Sequence, residues 1–274
     1  MRFILTTTAI GLAALGAAAA SAQTTGAGWT GFYVGGQLGY GWQPKDGDET
    51  IGFDRNLDGN FGDAFPNFPQ GSYCGGSATS LTPASGCTKD GDGTSWRVHA
   101  GFDYQLGAGD SGFVVGAVVD YGRTYIYDSV SAFSTTPAAY KIKAKLKNDG
   151  SVRGRAGYAL STGTLFYGTG GLAYGKIRNS FSTTNGVNTF TESKSKKDAW
   201  GWTYGGGIEQ QVGRVSIGAL YLFNVLKNHD YSVRASGGLP GGPFTAVNAG
   251  GTDFRRGFSK FAYHTVAATV SYRF

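Results

Sequence analysis

The sequence predicts an all-β fold: an eight-stranded antiparallel up-and-down transmembrane β-barrel with short turns at one end and four long loops at the other. Three observations carry this. Apolar residues alternate with small or polar ones along runs of about ten residues, the period of a strand with one greasy face. After the amino-terminal stretch no segment offers the ~18 consecutive apolar residues of a membrane helix, and hydrocarbon then leaves only a closed barrel as a spanning structure. The chain holds 47 Gly, 16 Tyr, 18 Phe and 5 Trp against 15% charged residues, which suits strands apolar on one side only.

The amino-terminal stretch reads as a secretory signal peptide over residues 1–22. Arg2 precedes an Ala-rich apolar run that closes on Ala20-Ser21-Ala22, a small-x-small cleavage site. The mature chain then starts at Gln23, and residues 23–274 form one outer-membrane β-barrel domain. The formal charge of +6 is spread over loops and strand faces. With no basic helix and no aromatic nucleic-acid motif beside it, no nucleic-acid partner is expected.

The first strand, Gly31 to Trp42, sets Phe32, Val34, Leu38, Tyr40 and Trp42 against Tyr33, Gly35, Gln37, Gly39 and Gly41. The second, Trp96 to Leu106, is the cleanest, with Trp96, Val98, Ala100, Phe102 and Tyr104 outside and Arg97, His99, Gly101, Asp103 and Gln105 inside. The third runs over about 113–127, the fourth over 151–160 and the fifth over 165–177. On the fifth, Phe166, Leu172 and Tyr174 compete with Leu165, Tyr167 and Ile177 for the outer face. The sixth groups Trp200, Trp202, Tyr204 and Ile208 opposite Thr203, Gly205, Gly207 and Glu209; the seventh runs over 215–226. The last runs from about Ser259 to the end, with Val266, Val270, Tyr272 and Phe274 on one face and Thr265, Thr269, Ser271 and Arg273 on the other. A terminal strand ending on an aromatic residue is how such barrels present themselves to the barrel-assembly machinery, so those four outward residues are the expected assembly signal.

Short connectors alternate with long ones at 43–95, 128–150, 178–198 and 227–258, the asymmetry of periplasmic turns and extracellular loops. A soluble sandwich or lipocalin-like barrel would turn the apolar faces inward instead.

Particular residues then resemble a known family. Trp29-Thr30-Gly31-Phe32-Tyr33-Val34-Gly35-Gly36 with Gly39-Tyr40-Gly41-Trp42 is similar to the first strand of small alphaproteobacterial outer-membrane proteins, the porin-family proteins with an OmpA-like transmembrane barrel. Val152-Arg153-Gly154-Arg155-Ala156-Gly157-Tyr158, Gly170-Gly171-Leu172-Ala173-Tyr174-Gly175 and Tyr272-Arg273-Phe274 resemble its fourth, fifth and last strands. The resemblance implies an abundant integral surface protein in the outer membrane, sometimes a weak pore, and no enzyme. One departure stands out: Leu220-Tyr221-Leu222-Phe223 replaces a Glu-Tyr-x-Tyr pattern, so an inward carboxylate is missing on the seventh strand.

The inward faces collect Arg97, His99, Asp103, Asp120, Arg153, Arg155 and Glu209. A narrow eight-stranded barrel is just wide enough to be filled by its own side chains, and buried charges must pair. These residues therefore make either a locked charge network or a polar path for small solutes. Cys74 and Cys87, both in the first long loop of an exported chain, read as a disulfide, closing a loop worth ~3 kcal/mol. In the same loop Asp54, Asn56, Asp58 and Asn60 carry the spacing of the front half of a calcium loop, with Asp63, Asp90 or Asp92 to complete it. Position twelve is Phe65 rather than an acid, and the alternative is an Asx-turn cluster.

No nucleophile elbow, metalloprotease helix or phosphate loop appears. His99 beside Asp103 is the only acid–base pairing to weigh, and no serine nucleophile accompanies it. Two functions remain: a structural, surface-displayed barrel held by lipid and lipopolysaccharide with weak porin activity, or an adhesin acting through its loops. Loop aromatics Phe53, Phe61, Phe65, Phe68, Phe133, Phe181 and Phe244 favour the adhesin if they are exposed; otherwise they pack the loops together.

Overall fold

The computed structural model describes residues 28–44, 49–107, 109–228, 231–257 and 260–274. The signal peptide at 1–22, the start of the mature chain at Gln23 and the start of the last strand at Ser259 lie outside the described residues.

The strands in chain order are β1 (Gly31–Trp42), β2 (Ile51–Asp54), β3 (Tyr73–Gly75), β4 (Ser77–Ala78), β5 (Cys87–Thr88) and β6 (Gly93–Leu106). They continue with β7 (Gly112–Thr124), β8 (Tyr127–Ser134), β9 (Ala138–Ala159), β10 (Thr164–Thr183) and β11 (Thr189–Glu192). The last are β12 (Lys196–Val212), β13 (Val215–Lys227), β14 (Val233–Ser236), β15 (Thr252–Arg256) and β16 (Lys260–Arg273). Eight of these close a ring in the order β1-β6-β7-β9-β10-β12-β13-β16, every neighbour antiparallel. The ring shuts where Tyr33 pairs with Arg273 and Trp42 with His264, which leaves no free edge on the barrel.

The alternation decides which way each face points. Leu38 is 72% exposed while its neighbour Gln37 is 6% exposed, so the apolar face looks outward, opposite to a lipocalin-like barrel. Phe32, Val98, Trp200, Trp202, Val266 and Val270 continue this belt. On β10 the ambiguity resolves with Phe166 and Leu172 outward and Leu165, Tyr167 and Ile177 inward. The sequence pattern was ambiguous there because the lumen is itself apolar at its two ends.

Two predicted loops are largely sheet. The segment 128–150 forms β8 and the distal half of β9, and 178–198 contains the end of β10 and β11. At 22 residues β9 is twice the 9–11 residues a membrane crossing needs, so half of it projects beyond the belt. Lys141, Lys143 and Lys145 alternate there with buried Ile142, Ala144 and Leu146; the same period continues with lysine, not Phe or Val, on the outer face.

Above the barrel, β2, β11, β14 and β15 form a second sheet of order β11-β14-β15-β2, drawn from the first, third and fourth loops. Its core holds Phe53, Phe65, Phe68, Tyr140, Phe244 and Phe254. Phe53, Phe65, Phe68, Phe133 and Phe244 are all buried, and Phe181 packs against the same core, so these rings are not an exposed adhesive surface. They hold the loops to one another, with rings such as Phe53 and Phe65 edge to face at 4.9 Å. The Cys74–Cys87 disulfide joins β3 to β5 across a Cα–Cα distance of 6.1 Å.

Candidate functional site

The lumen is built in layers, starting at the end with the short turns. There Trp29, Val114, Ala159, Leu165, Leu220 and Leu222 form an apolar floor. Leu220 and Leu222 are the inward residues of β13, so the missing carboxylate of that strand is replaced by packing.

Above the floor lies the first ionic layer. Asp103 accepts from Arg155 through both oxygens, at 2.7 and 2.5 Å, and from Arg273 at 2.6 Å. Glu209 accepts from Arg155 at 2.8 Å. The Tyr33 ring sits between the two guanidiniums, 4.9 Å from Arg155 and 4.7 Å from Arg273, and Tyr167 covers Arg155 from another side at 4.7 Å. Glycine makes the room for these rings: a Cβ on Gly207 would lie 2.6 Å from the Tyr167 hydroxyl. Arg273 also donates to the Trp29 carbonyl at 2.9 Å, tying the last strand to the entry of the first.

In the next layer Asp120 accepts from Arg153 at 2.7 Å and from Ser151 at 2.5 Å. His99 spans Gln37 at 3.2 Å and Ser271 at 2.8 Å. The pairing of His99 with Asp103 does not form: four residues apart on β6, they stand about 13 Å apart along the strand, and Asp103 is held by Arg155 and Arg273. In the third layer Arg97 pairs with Asp149, whose oxygens also accept from Thr124 at 3.2 Å and Tyr263 at 3.0 Å. Ile126, Ala144, Leu146, Ile177, Leu226 and Phe261 then close the top.

Four arginines (Arg97, Arg153, Arg155, Arg273) thus face four carboxylates (Asp103, Asp120, Asp149, Glu209) among the described residues, each arginine within 2.8 Å of a carboxylate oxygen. The charges cancel. A cavity of about 20 Å³ beside Tyr33, His99, Arg153 and Glu209 has room for about one water. All seven lumen residues expected from the sequence are buried here. Arg273 and Asp149 were missed. The first belongs to the polar face of the last strand and was legible; the second fell in a stretch read as loop.

The predicted calcium segment is an Asx-turn array. Asp54 accepts from the amides of Asp58 and Gly59 at 3.0 and 2.8 Å, Asn56 from Asp58 at 3.1 Å, Asp58 from Asn60 at 2.7 Å, and Asp63 from Arg55 at 2.7 Å. Asp90 and Asp92 lie elsewhere, against Ser129 and the Gln43 amide. Asp90 instead joins Glu49 and Asp128, with oxygens within 4.8 Å of one another. Arg256 reaches both Glu49 and Asp128 at 2.6 Å. Burial, reinforced by the Asp128 charge, pushes the Glu49 carboxyl up to about 9, and burial lifts Asp90 to about 6. Of the expected assembly residues, Val266, Val270, Tyr272 and Phe274 all point outward from β16.

The chain is similar to known outer-membrane proteins. It is 36% identical over 115 residues to the 31 kDa outer-membrane immunogenic proteins of Brucella melitensis and Brucella suis, covering 42% of this chain and 46% of theirs. The match therefore spans about half the length of those relatives. It is 30% identical over 165 residues to the 22 kDa outer membrane protein of Rhizobium leguminosarum bv. viciae, covering 60% of this chain and 67% of that one. Among solved structures it is similar to the outer membrane protein OprG of Pseudomonas aeruginosa, with TM-score 0.45 and 10% identity over 91% of this chain and 100% of that one. It is also similar to Ail of Yersinia pestis, with TM-score 0.32 and 9% identity over 88% and 99%. No family model matches the chain.

Proposed function

We propose, from the premise that the chain belongs to the alphaproteobacterial outer-membrane β-barrel family of the Rhizobium protein, that it is a plugged barrel that displays a folded β-domain at the cell surface. The observation that carries this reading is the filled lumen. Balanced arginine–carboxylate layers lie between two apolar plugs, beside a cavity of about 20 Å³. A hydrated ion needs a continuous wet path, and opening one here would strand several buried charges at once. Weak porin activity therefore requires the network to rearrange. Swelling of liposomes containing the refolded chain in small sugars tests this: rates equal to those of empty liposomes are expected, and sugar-dependent swelling contradicts the plug.

A ligand-binding role has one specific support. A cleft of about 460 Å³ opens beside half-buried Phe61 and Tyr73 on the first loop, over the buried Phe53, Phe65 and Phe68, and clefts lined by aromatic side chains take apolar ligands. Deleting residues 55–72 tests it, with loss of partner binding but intact membrane assembly favouring this reading.

A further inference from the structure

The barrel exterior changes chemistry abruptly on one sector. Across β7, β9, β10 and β12, Tyr121, Gly150, Tyr174 and Trp200 fall on one register row. Tyr121 and Trp200 are exposed on the outside, and the Tyr174 ring lies tilted against Trp200 at 5.1 Å between centroids. A row of outward Tyr and Trp marks the membrane–water interface. Four residues further along β10, about 13 Å at strand rise, the row reads Lys145, Arg178, Lys196.

More positive charge surrounds that row. Arg123 stands above Tyr121 on β7, and Lys143 and Lys141 follow Lys145 up β9. The β-bulge opposite Lys176 and Ile177 inserts Lys147 between the paired residues Leu146 and Asn148. Negative charge is sparse. Asp198 lies across from Lys176 and accepts from the Tyr174 hydroxyl at 2.8 Å, and Asp90 acts on Lys143 from a distance. Among the described residues no carboxylate forms an ion pair with Arg123, Lys141, Lys143, Lys145, Lys147, Arg178 or Lys196, whereas each lumen arginine has one. Partial burial and the charges of Lys145, Arg123 and Arg178 hold the Lys147 ammonium below its ordinary value, so the cluster repels itself as it stands.

We propose that this basic face, centred on Lys145, Lys147 and Arg178, binds the phosphates of the phosphorylated glycolipid in the surrounding outer leaflet. The proposal rests on the outer-membrane reading and deepens it. The position favours a lipid over a soluble polyanion. The patch begins directly above the aromatic row, and Lys and Arg stems snorkel along apolar surface toward a headgroup. On the membrane side of the aromatic row the same strands present the acyl-facing Leu172 and Val152, so one amphiphile can satisfy both surfaces. Each Lys or Arg near a charged membrane surface contributes about 1 kcal/mol, or about fivefold in affinity.

The test uses the full chain folded in neutral maltoside micelles, with folding verified by heat-modifiable mobility, and titrated with bisphosphorylated lipid A. Lys145→Gln, Lys147→Gln and Arg178→Gln together are expected to weaken binding about 100-fold. Lys227→Gln with Lys260→Gln, paired with each other on β13 and β16 outside the patch, are expected to leave it unchanged. Phosphate-free lipid A is expected to bind the unaltered chain no better than the triple variant binds the phosphorylated form. That comparison needs no variant to fold. Equal affinity for phosphorylated and phosphate-free lipid overturns the proposal. So does a heparin fragment that binds through the patch while lipid A is indifferent to it.

Discussion

The lumen and the extracellular sheet are both filled, by opposite chemistries. Inside the barrel the small residues of β1 and β12 leave space for long side chains, and four arginines with four carboxylates occupy it under tyrosine and tryptophan rings. Above the barrel Phe53, Phe65, Phe68, Tyr140, Phe244 and Phe254 make an apolar core of the ordinary kind. The difference follows from what lies outside each. The barrel puts its apolar residues toward lipid and is left with polar ones to bury, which fixes register through directional pairs. The sheet meets water and buries its aromatics.

That contrast can be broken from the lumen side with the largest effect. Arg155→Ala strands Glu209, leaves Asp103 to Arg273 alone and is expected to cost about 3–5 kcal/mol, read as a lower urea midpoint for the heat-modifiable form in vesicles. An unchanged midpoint would mean the network contributes nothing to the fold. On the other side, Phe254→Ala is expected to remove about 3–4 kcal/mol from the extracellular core. Its signature is local: faster proteolysis within 49–72 and 231–257, with barrel mobility on the gel unchanged. Loss of both together would show that the two regions unfold as one.

A smaller effect separates the regions further. Cys74→Ser with Cys87→Ser is expected to cost about 2–3 kcal/mol, confined to cleavage of the first loop; free thiols in protein from native membranes would mean that the bridge does not form there. The Glu49 cluster adds pH dependence on the extracellular side. Its carboxyl holds a proton up to about 9 in the folded sheet against an ordinary 4.5. The stabilisation is therefore complete below about 4.5 and is lost as pH rises through about 9. Protease resistance of the sheet should fall between pH 5 and pH 9, and Glu49→Gln should flatten the profile. Resistance that rises with pH would reverse the assignment.

Calcium should have the least effect. With the oxygens of Asp54, Asn56, Asp58 and Asp63 already accepting backbone amides, added calcium is expected to slow cleavage at 54–63 less than about twofold. Stronger protection would make the segment a cation site.

The two regions were not equally legible in the sequence. Period-two alternation located the barrel strands, because a lipid face and a lumen face differ sharply at every step, and β1 matches its expected span residue for residue. The lumen charges on those strands followed directly. Asp149 did not, because beyond the membrane the outer face of β9 turns from Val152 to Lys145, Lys143 and Lys141, and a strand wet on its outside reads like a loop. The second sheet was invisible for a related reason: its strands are four or five residues long and pair across three separate loops.

Single-channel recording of the refolded chain in a planar bilayer, beside a gel confirming the folded form, decides whether the lumen is a plug or a pore. The filled lumen predicts silence in the unaltered protein at high salt, with conductance appearing when Arg155→Ala and Asp103→Ala are combined. Discrete, salt-dependent steps from the unaltered chain would contradict the plug and make the arginine–carboxylate layers the lining of a pore.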